Sequence, residues 1–219
     1  SSATESPPPT NPKHSLSEKL QNVKGMAATA QCRFRLVGTV SVAFGCPFEG
    51  AVVAGSVVAD VERFVELGVE HVALGDTTGM ATPVSVRSLF GRIASEVPGA
   101  TPIAHFHDTR GTGLVNYIAA YEAGVRFFDA SIGGIGGHPA KVKYGGGVTG
   151  NGCNEELGSL FEPLGATSGI APGQWRATAA HLGRGLGRAL SGPQPRAGPL
   201  TAQHQTRTAA PSTTRQHSN

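Results

Sequence analysis

The segment PIAHFHDTRGTG, residues 102–113, sets His105 and His107 one residue apart at the end of an apolar run. Side chains alternate across a strand, so residues i and i+2 share a face, and two imidazoles placed in this way can bind one cation. A strand end whose histidines only hydrogen-bond to neighbouring loops has the same spacing, and the pair alone does not separate the two readings. What separates them is where the flanking elements bring the other polar residues.

Those elements recur along the chain. Ser15 and Glu18 stand at capping-box spacing, and Leu20, Val23, Ala27 and Ala30 follow at helical intervals, which predicts an amphipathic helix over residues 16–31. FRLVGTVSVAF, residues 34–44, reads as a strand. After the turn GCPFEG, Val57, Val58, Val61, Phe64, Val65 and Leu67 form an apolar helix stripe that stops at Gly68, and EHVALG supplies the next strand. Thr82 and Pro83 suit the N-cap and first position of a helix through VSVRSLFGRIASEV; strand TPIAHF, helix GLVNYIAAYEAG and strand RFFDASI follow. Gly45, Asp76 and His107 stand at strand ends 31 residues apart, the length of one strand, one helix and two short loops. The chain therefore reads as successive βα units, and parallel sheets built from such units collect functional groups at the carboxyl ends of their strands. Asp76, His105, His107 and the glycine loop after Ile132 all fall at that rim, which favours the metal reading.

Composition narrows the rest. The chain has 219 residues, enough for one domain with a sizeable core, but glycine and proline make up about a fifth of it, so the ordered part is expected to be shorter. The net charge is +3, Glu162 is the last acidic residue, and the arginines beyond it are scattered with few aromatics, so no nucleic-acid partner is expected. Cys32, Cys46 and Cys153 share no CxxC spacing and read as reduced thiols of an intracellular protein. No apolar run is long enough to span a membrane, and the N-terminus lacks the basic and apolar regions of a signal peptide. A soluble protein of the cytoplasm is expected, or of the mitochondrial matrix if the source is eukaryotic.

AFGCPFEG, LGDTTGMATP, AHFHDTRGTG, DASIGGIGGHP and TGNGCNEEL, in this order, resemble the C-terminal half of the 3-hydroxy-3-methylglutaryl-CoA lyase family over about residues 15–165. These are metal-dependent (β/α)8-barrel carbon–carbon lyases. HFHDT and GDTTG also occur across the wider superfamily that includes isopropylmalate and homocitrate synthases, whereas GCPFEG and IGGIGG are more particular to the lyase branch. The resemblance implies an α/β fold, a partial (β/α)8 TIM barrel of about four βα units, strands 5–8. This half-barrel domain would occupy residues 15–165, with disordered residues 1–14 before it, a helical extension over 166–192 and a disordered basic tail over 193–219. It also implies an acyl-CoA substrate and a divalent metal, Mg²⁺ or Mn²⁺, held by His105, His107 and Asn151. His105 would act in addition as general acid/base, and Asp76 as a catalytic or substrate-orienting carboxylate. Cleaving a 3-hydroxyacyl thioester between C2 and C3 needs a base for the hydroxyl and stabilisation of the enolate, and a divalent cation assists both. Imidazoles, an amide carbonyl and a carboxylate with positions left open suit Mg²⁺ or Mn²⁺ better than zinc. Beside these roles stand plainer alternatives: Asp76 as a helix-capping residue next to Thr77 and Thr78, and Asn151 as a turn residue between two glycines.

The chain also departs from the family pattern. Where the lyases carry a catalytic cysteine in a GGCP setting, this chain has His138 in GGHP, a candidate acid or base but not a thiol. The loop from His138 to Asn151 is longer than the family's, and its Lys141 and Lys143 are candidate contacts for a CoA phosphate or an acidic substrate. A solvated glycine-rich loop reads equally from those residues. Gly133, Gly134, Gly136 and Gly137, with the glycines from 145 to 152, predict a mobile lid that carries His138. The family's Arg-Asp pair at the first strand has no counterpart, so little turnover is expected from the isolated chain. The exposed strand edges are expected to invite a homo-oligomer or a separate N-terminal half. Two other readings stand beside the lyase: a condensing synthase or aldolase of the same superfamily, and an inactive fragment that needs a partner chain.

Overall fold

The computed structural model describes residues 16–30, 34–47, 49–137, 150–166, 168–187 and 190. Helices and strands alternate from the start: α1 (Leu16–Ala30), β1 (Val37–Val40), α2 (Ala54–Glu66), β2 (His71–Asp76), α3 (Pro83–Glu96), β3 (Thr101–Phe106), α4 (Gly113–Glu122) and β4 (Phe127–Asp129). The strands form one sheet in the order β1-β2-β3-β4, every pair parallel. Parallel neighbours require a crossover, and each crossover here is the helix between them. The result is a partial (β/α) barrel of four strands.

The apolar spacing explains which faces are covered. Val57, Val58 and Val61 of α2 are buried, as are Val86, Leu89, Phe90 and Ile93 of α3, at helical intervals. Central strand β2 is buried from Val72 to Asp76 without alternation, as a strand covered on both faces must be. Val72, Leu74, Ile93 and Phe106 are among the core side chains with no exposure, each contributing about 1.5–3 kcal/mol of burial. Thr82 caps α3 as its sequence predicts. Its hydroxyl accepts from the Ser85 N–H at 3.2 Å while Ser85 Oγ accepts from the Thr82 N–H at 3.0 Å, with Pro83 in the first turn. Ser15, the expected cap of α1, lies outside the described residues.

Two strands are shorter than their sequence suggests. β1 ends at Val40 rather than near residue 44, because Val42 takes a left-handed conformation (φ 52°) that a β-branched residue adopts only under tertiary constraint. The Ala43 N–H then reaches the Gly75 carbonyl at 2.9 Å. β4 stops at Asp129, and Ile132–Gly134 form a short 3-10 turn instead of strand.

The chain divides into two compact units, Ser1–Ala130 with Gly136–Gly152, and Ser131–Ile135 with Cys153–Asn219. The first holds the sheet. In the second, α5 (Asn154–Phe161) packs against α6 (Pro172–Leu186) and against the Ile132–Gly134 turn. Buried Glu155 ties that turn to α5, both carboxylate oxygens accepting from the Gly133 N–H at 2.9 and 3.1 Å. Among the described residues no helix is long and apolar enough to cross a membrane.

Candidate metal and catalytic site

His105 lies in the last turn of the β3 ladder and His107 just beyond it, and the alternation of strand side chains turns both to one side. Their Nε2 atoms are 3.2 Å apart, with the rings edge to face at 5.1 Å and 81°. His107 is buried and His105 is 22% exposed at its side chain. Residues 150–152 extend the rim beside them. Asn151 forms an antiparallel bridge with His107, the Asp108 N–H donates to the Gly150 carbonyl at 2.8 Å, and the Gly152 N–H donates to the Phe106 carbonyl at 2.9 Å. Gly136 lies close against the Asn151 side chain, for a Cβ there would stand 2.6 Å from Asn151 Nδ2. The structure thus brings together three of the residues named from the sequence.

A fourth participant was not among them. Asp129 ends β4 in register with His105, and its Oδ2 is 3.0 Å from His105 Nδ1. The histidine holds the Asp129 carboxyl below the usual carboxylate range, against the opposing effect of partial burial. A neutral imidazole carries one N–H, and a proton on Nδ1, the nitrogen 3.0 Å from the carboxylate, would leave the lone pair on Nε2, the atom that faces His107. Two nitrogens each about 2.1 Å from one cation, at roughly 90–110°, are about 3.0–3.4 Å apart. The observed 3.2 Å fits that arrangement, and it also fits an N–H···N hydrogen bond donated by His107. Both arrangements need the same His105 tautomer. Among the described residues no group of three or more His, Cys, Asp or Glu is placed to hold a metal.

Asp76 lies at the same rim, in register with Phe106, and is fully buried. Its two carboxylate oxygens accept from the N–H groups of Met80 at 2.8 Å and Ala81 at 3.1 Å, closing the turn from β2 to α3. Burial raises its pKa, while those two amides and the charge of Arg110 oppose the rise. His138, Lys141 and Lys143 lie outside the described residues. Cys153 is buried with its thiol donating to Glu155 Oε2 at 3.0 Å, and burial together with that carboxylate pushes its pKa up to about 12. Such a thiol is inert at neutral pH. The signal that points to Asp129 was its place at a strand end, the same place that singled out Asp76.

An HMGL-like family model matches residues 9–181. The (R)-citramalyl-CoA lyase of Chloroflexus aurantiacus is 40% identical over 164 residues, 75% of this chain and 50% of that protein. The hydroxymethylglutaryl-CoA lyase of Pseudomonas mevalonii is 39% identical over 145 residues, 66% of this chain and 47% of that protein. The structure of an HMG-CoA lyase from Acinetobacter baumannii, in complex with coenzyme A and 3-methylmalate, has a TM-score of 0.76 and 35% identity. It covers 87% of this chain and 61% of its own. The chain spans about half the length of the curated relatives it matches. These extents correct the expectation of a resemblance confined to residues 15–165 and to the C-terminal half of the family. The match runs over residues 9–181 and reaches beyond half of the solved lyase.

Proposed function

Because the chain belongs to the HMGL-like family, we propose that its rim serves metal-assisted cleavage of a 3-hydroxyacyl-CoA thioester to acetyl-CoA and an oxo acid. His105, His107 and Asn151 would hold the Mg²⁺ or Mn²⁺ ion. The observation that carries this reading is the approach of the two Nε2 atoms at 3.2 Å, with Asp129 on the far side of His105. When bound, the cation lowers the pKa of the substrate hydroxyl and polarises the oxygen that becomes a ketone.

The remaining work falls to the chain's own side chains. Asp129 keeps the proton on His105 Nδ1 and aims its Nε2 lone pair at the rim. One lone pair does not ligate and accept a proton together, so the acid/base task first expected of His105 passes in this proposal to His138. In support stand the acid/base chemistry common to imidazoles and its place directly after Gly136 and Gly137. Removal of the 3-hydroxyl proton forms the carbonyl and breaks the C2–C3 bond. The electron pair passes into the thioester enolate, and a proton returned to C2 completes acetyl-CoA. Asp76, with both oxygens engaged by backbone amides, orients the rim by holding its turn. Lys141 and Lys143 supply positive charge for the CoA phosphates or an acidic acyl end. A cytoplasmic or mitochondrial-matrix location completes the proposal, supported by the free thiols of Cys46 and Cys153.

The test is acetyl-CoA release from citramalyl-CoA and from hydroxymethylglutaryl-CoA by the 219-residue chain, alongside Mn²⁺ binding. The expected result is Mn²⁺ binding with slow, Mn²⁺-dependent release, the binding weakened and the release lost in His107→Ala. A chain that binds neither Mn²⁺ nor the thioesters overturns the proposal.

A further inference from the structure

Tyr117 is a fully buried aromatic of α4, packed edge-on against Phe106 (5.0 Å, 81°) and Phe128 (6.2 Å, 65°). Burial of the ring accounts for its place in the core but not for what its hydroxyl does. The β3–β4 ladder ends at the pair His105↔Asp129. There the phenol oxygen stands between the strands. It accepts from the Phe106 N–H at 3.1 Å and donates to the Asp129 carbonyl at 2.6 Å, with the Phe106 carbonyl at 3.2 Å as alternative acceptor. One hydroxyl therefore joins the backbone of the residue between His105 and His107 to the backbone of the carboxylate that meets His105. A phenol buried only for its apolar area would need a single partner.

Gly152 makes room for this arrangement. Its backbone is outside the left-handed region, so conformation does not require glycine there. Space does: a Cβ at 152 would lie 2.5 Å from Tyr117 Cε2 and 2.7 Å from Tyr117 Oη. Tyr117 is fully buried and held at its hydroxyl, so the ring cannot yield without breaking the bridge. Gly152 follows Asn151 directly and donates its N–H to the Phe106 carbonyl at 2.9 Å.

We propose that Tyr117 and Gly152 act as a positioning pair, the phenol fixing the ends of β3 and β4 and the bare glycine seating Asn151 beside them. The consequence for metal affinity rests on the function proposed above; the geometric claim does not. Two metal-free readouts on the whole chain test the geometry: the His105 tautomer, from ¹⁵N–¹H imidazole correlations, and amide exchange at Phe106 and Gly152. Tyr117→Phe keeps the ring and removes the bridge. The expected result is one Nδ1–H tautomer of His105 in the native chain and a mixture in Tyr117→Phe. Exchange at Phe106 should rise about tenfold while β2 amides are unchanged, and Mn²⁺ binding should weaken about tenfold, as for loss of a group that orients a ligand. Gly152→Ala should disturb the same readouts, and should add nothing in a Tyr117→Leu background, where no ring opposes the new methyl. Native tautomer and exchange in Tyr117→Phe, or additive effects of the two substitutions, overturn the inference. A native chain that binds no Mn²⁺ would overturn the metal reading, and the metal-free readouts would still decide for or against the pair.

Discussion

Asp76 closes β2 and Asp129 closes β4, so the two carboxylates flank the histidine-bearing strand β3 at one edge of the sheet. Asp76 is fully buried and spends both oxygens on the amides of its own turn. Asp129 is 58% exposed at its side chain and turns an oxygen to an imidazole. Their pKa values move in opposite directions for that reason, Asp76 upward through burial and Asp129 downward through His105. Residue type and rim position are shared. The partner decides which carboxylate holds the fold and which one tunes the site.

Removing each carboxylate should separate these roles. Asp76→Ala leaves the buried N–H groups of Met80 and Ala81 without their acceptor and should cost about 2–3 kcal/mol, read as a lowered urea midpoint. Native stability in that variant would show that the turn closes without the carboxylate. Asp129→Asn should change stability by less than about 0.5 kcal/mol, since the group is largely in solvent. It should still weaken Mn²⁺ binding about tenfold by releasing the His105 tautomer. Equal losses of stability in the two variants would erase the contrast.

A smaller effect sharpens the comparison through pH. The folded state raises the Asp76 pKa, so its protonated form is favoured on folding. That contribution is fully present below the unfolded value of about 4 and is lost as pH rises through the folded value. The stability difference between the native chain and Asp76→Ala should therefore shrink as pH rises from about 4 toward neutrality. Growth of the difference over that range would mean that the amide bonds, and not burial, control this group. The smallest perturbation concerns the second unit. Cys153, with its pKa pushed up to about 12, should resist iodoacetamide at neutral pH until the chain is unfolded, while the half-buried Cys46 reacts in the native state. Mass spectrometry of the labelled peptides reads the order, and early labelling of Cys153 would contradict its burial.

Features governed by short-range spacing were legible in the sequence. The alternation in AHFH placed His105 and His107 on one side, Thr82 and Pro83 marked the start of α3, and TPIAHF falls on β3 at Thr101–Phe106. What sequence did not reveal depends on pairing between distant segments. Asp129 meets His105 only through the β3–β4 register, and the Tyr117 hydroxyl meets two strands only once α4 has docked; within an apolar helix it reads as core. Val42 ends β1 early by taking a positive φ, against the local preference of a β-branched residue for strand. Asp76 was open to a capping and a catalytic reading, and the sequence could not show that both its oxygens would be taken by backbone amides.

The central claim is that His105 and His107 present their Nε2 atoms to one divalent cation. Electron spin-echo spectroscopy of the Mn²⁺-loaded chain counts the nitrogen ligands directly. Two imidazole nitrogens should couple to the metal in the native protein and one in His107→Ala. A spectrum without nitrogen coupling in the native protein, at saturating Mn²⁺, would contradict the account.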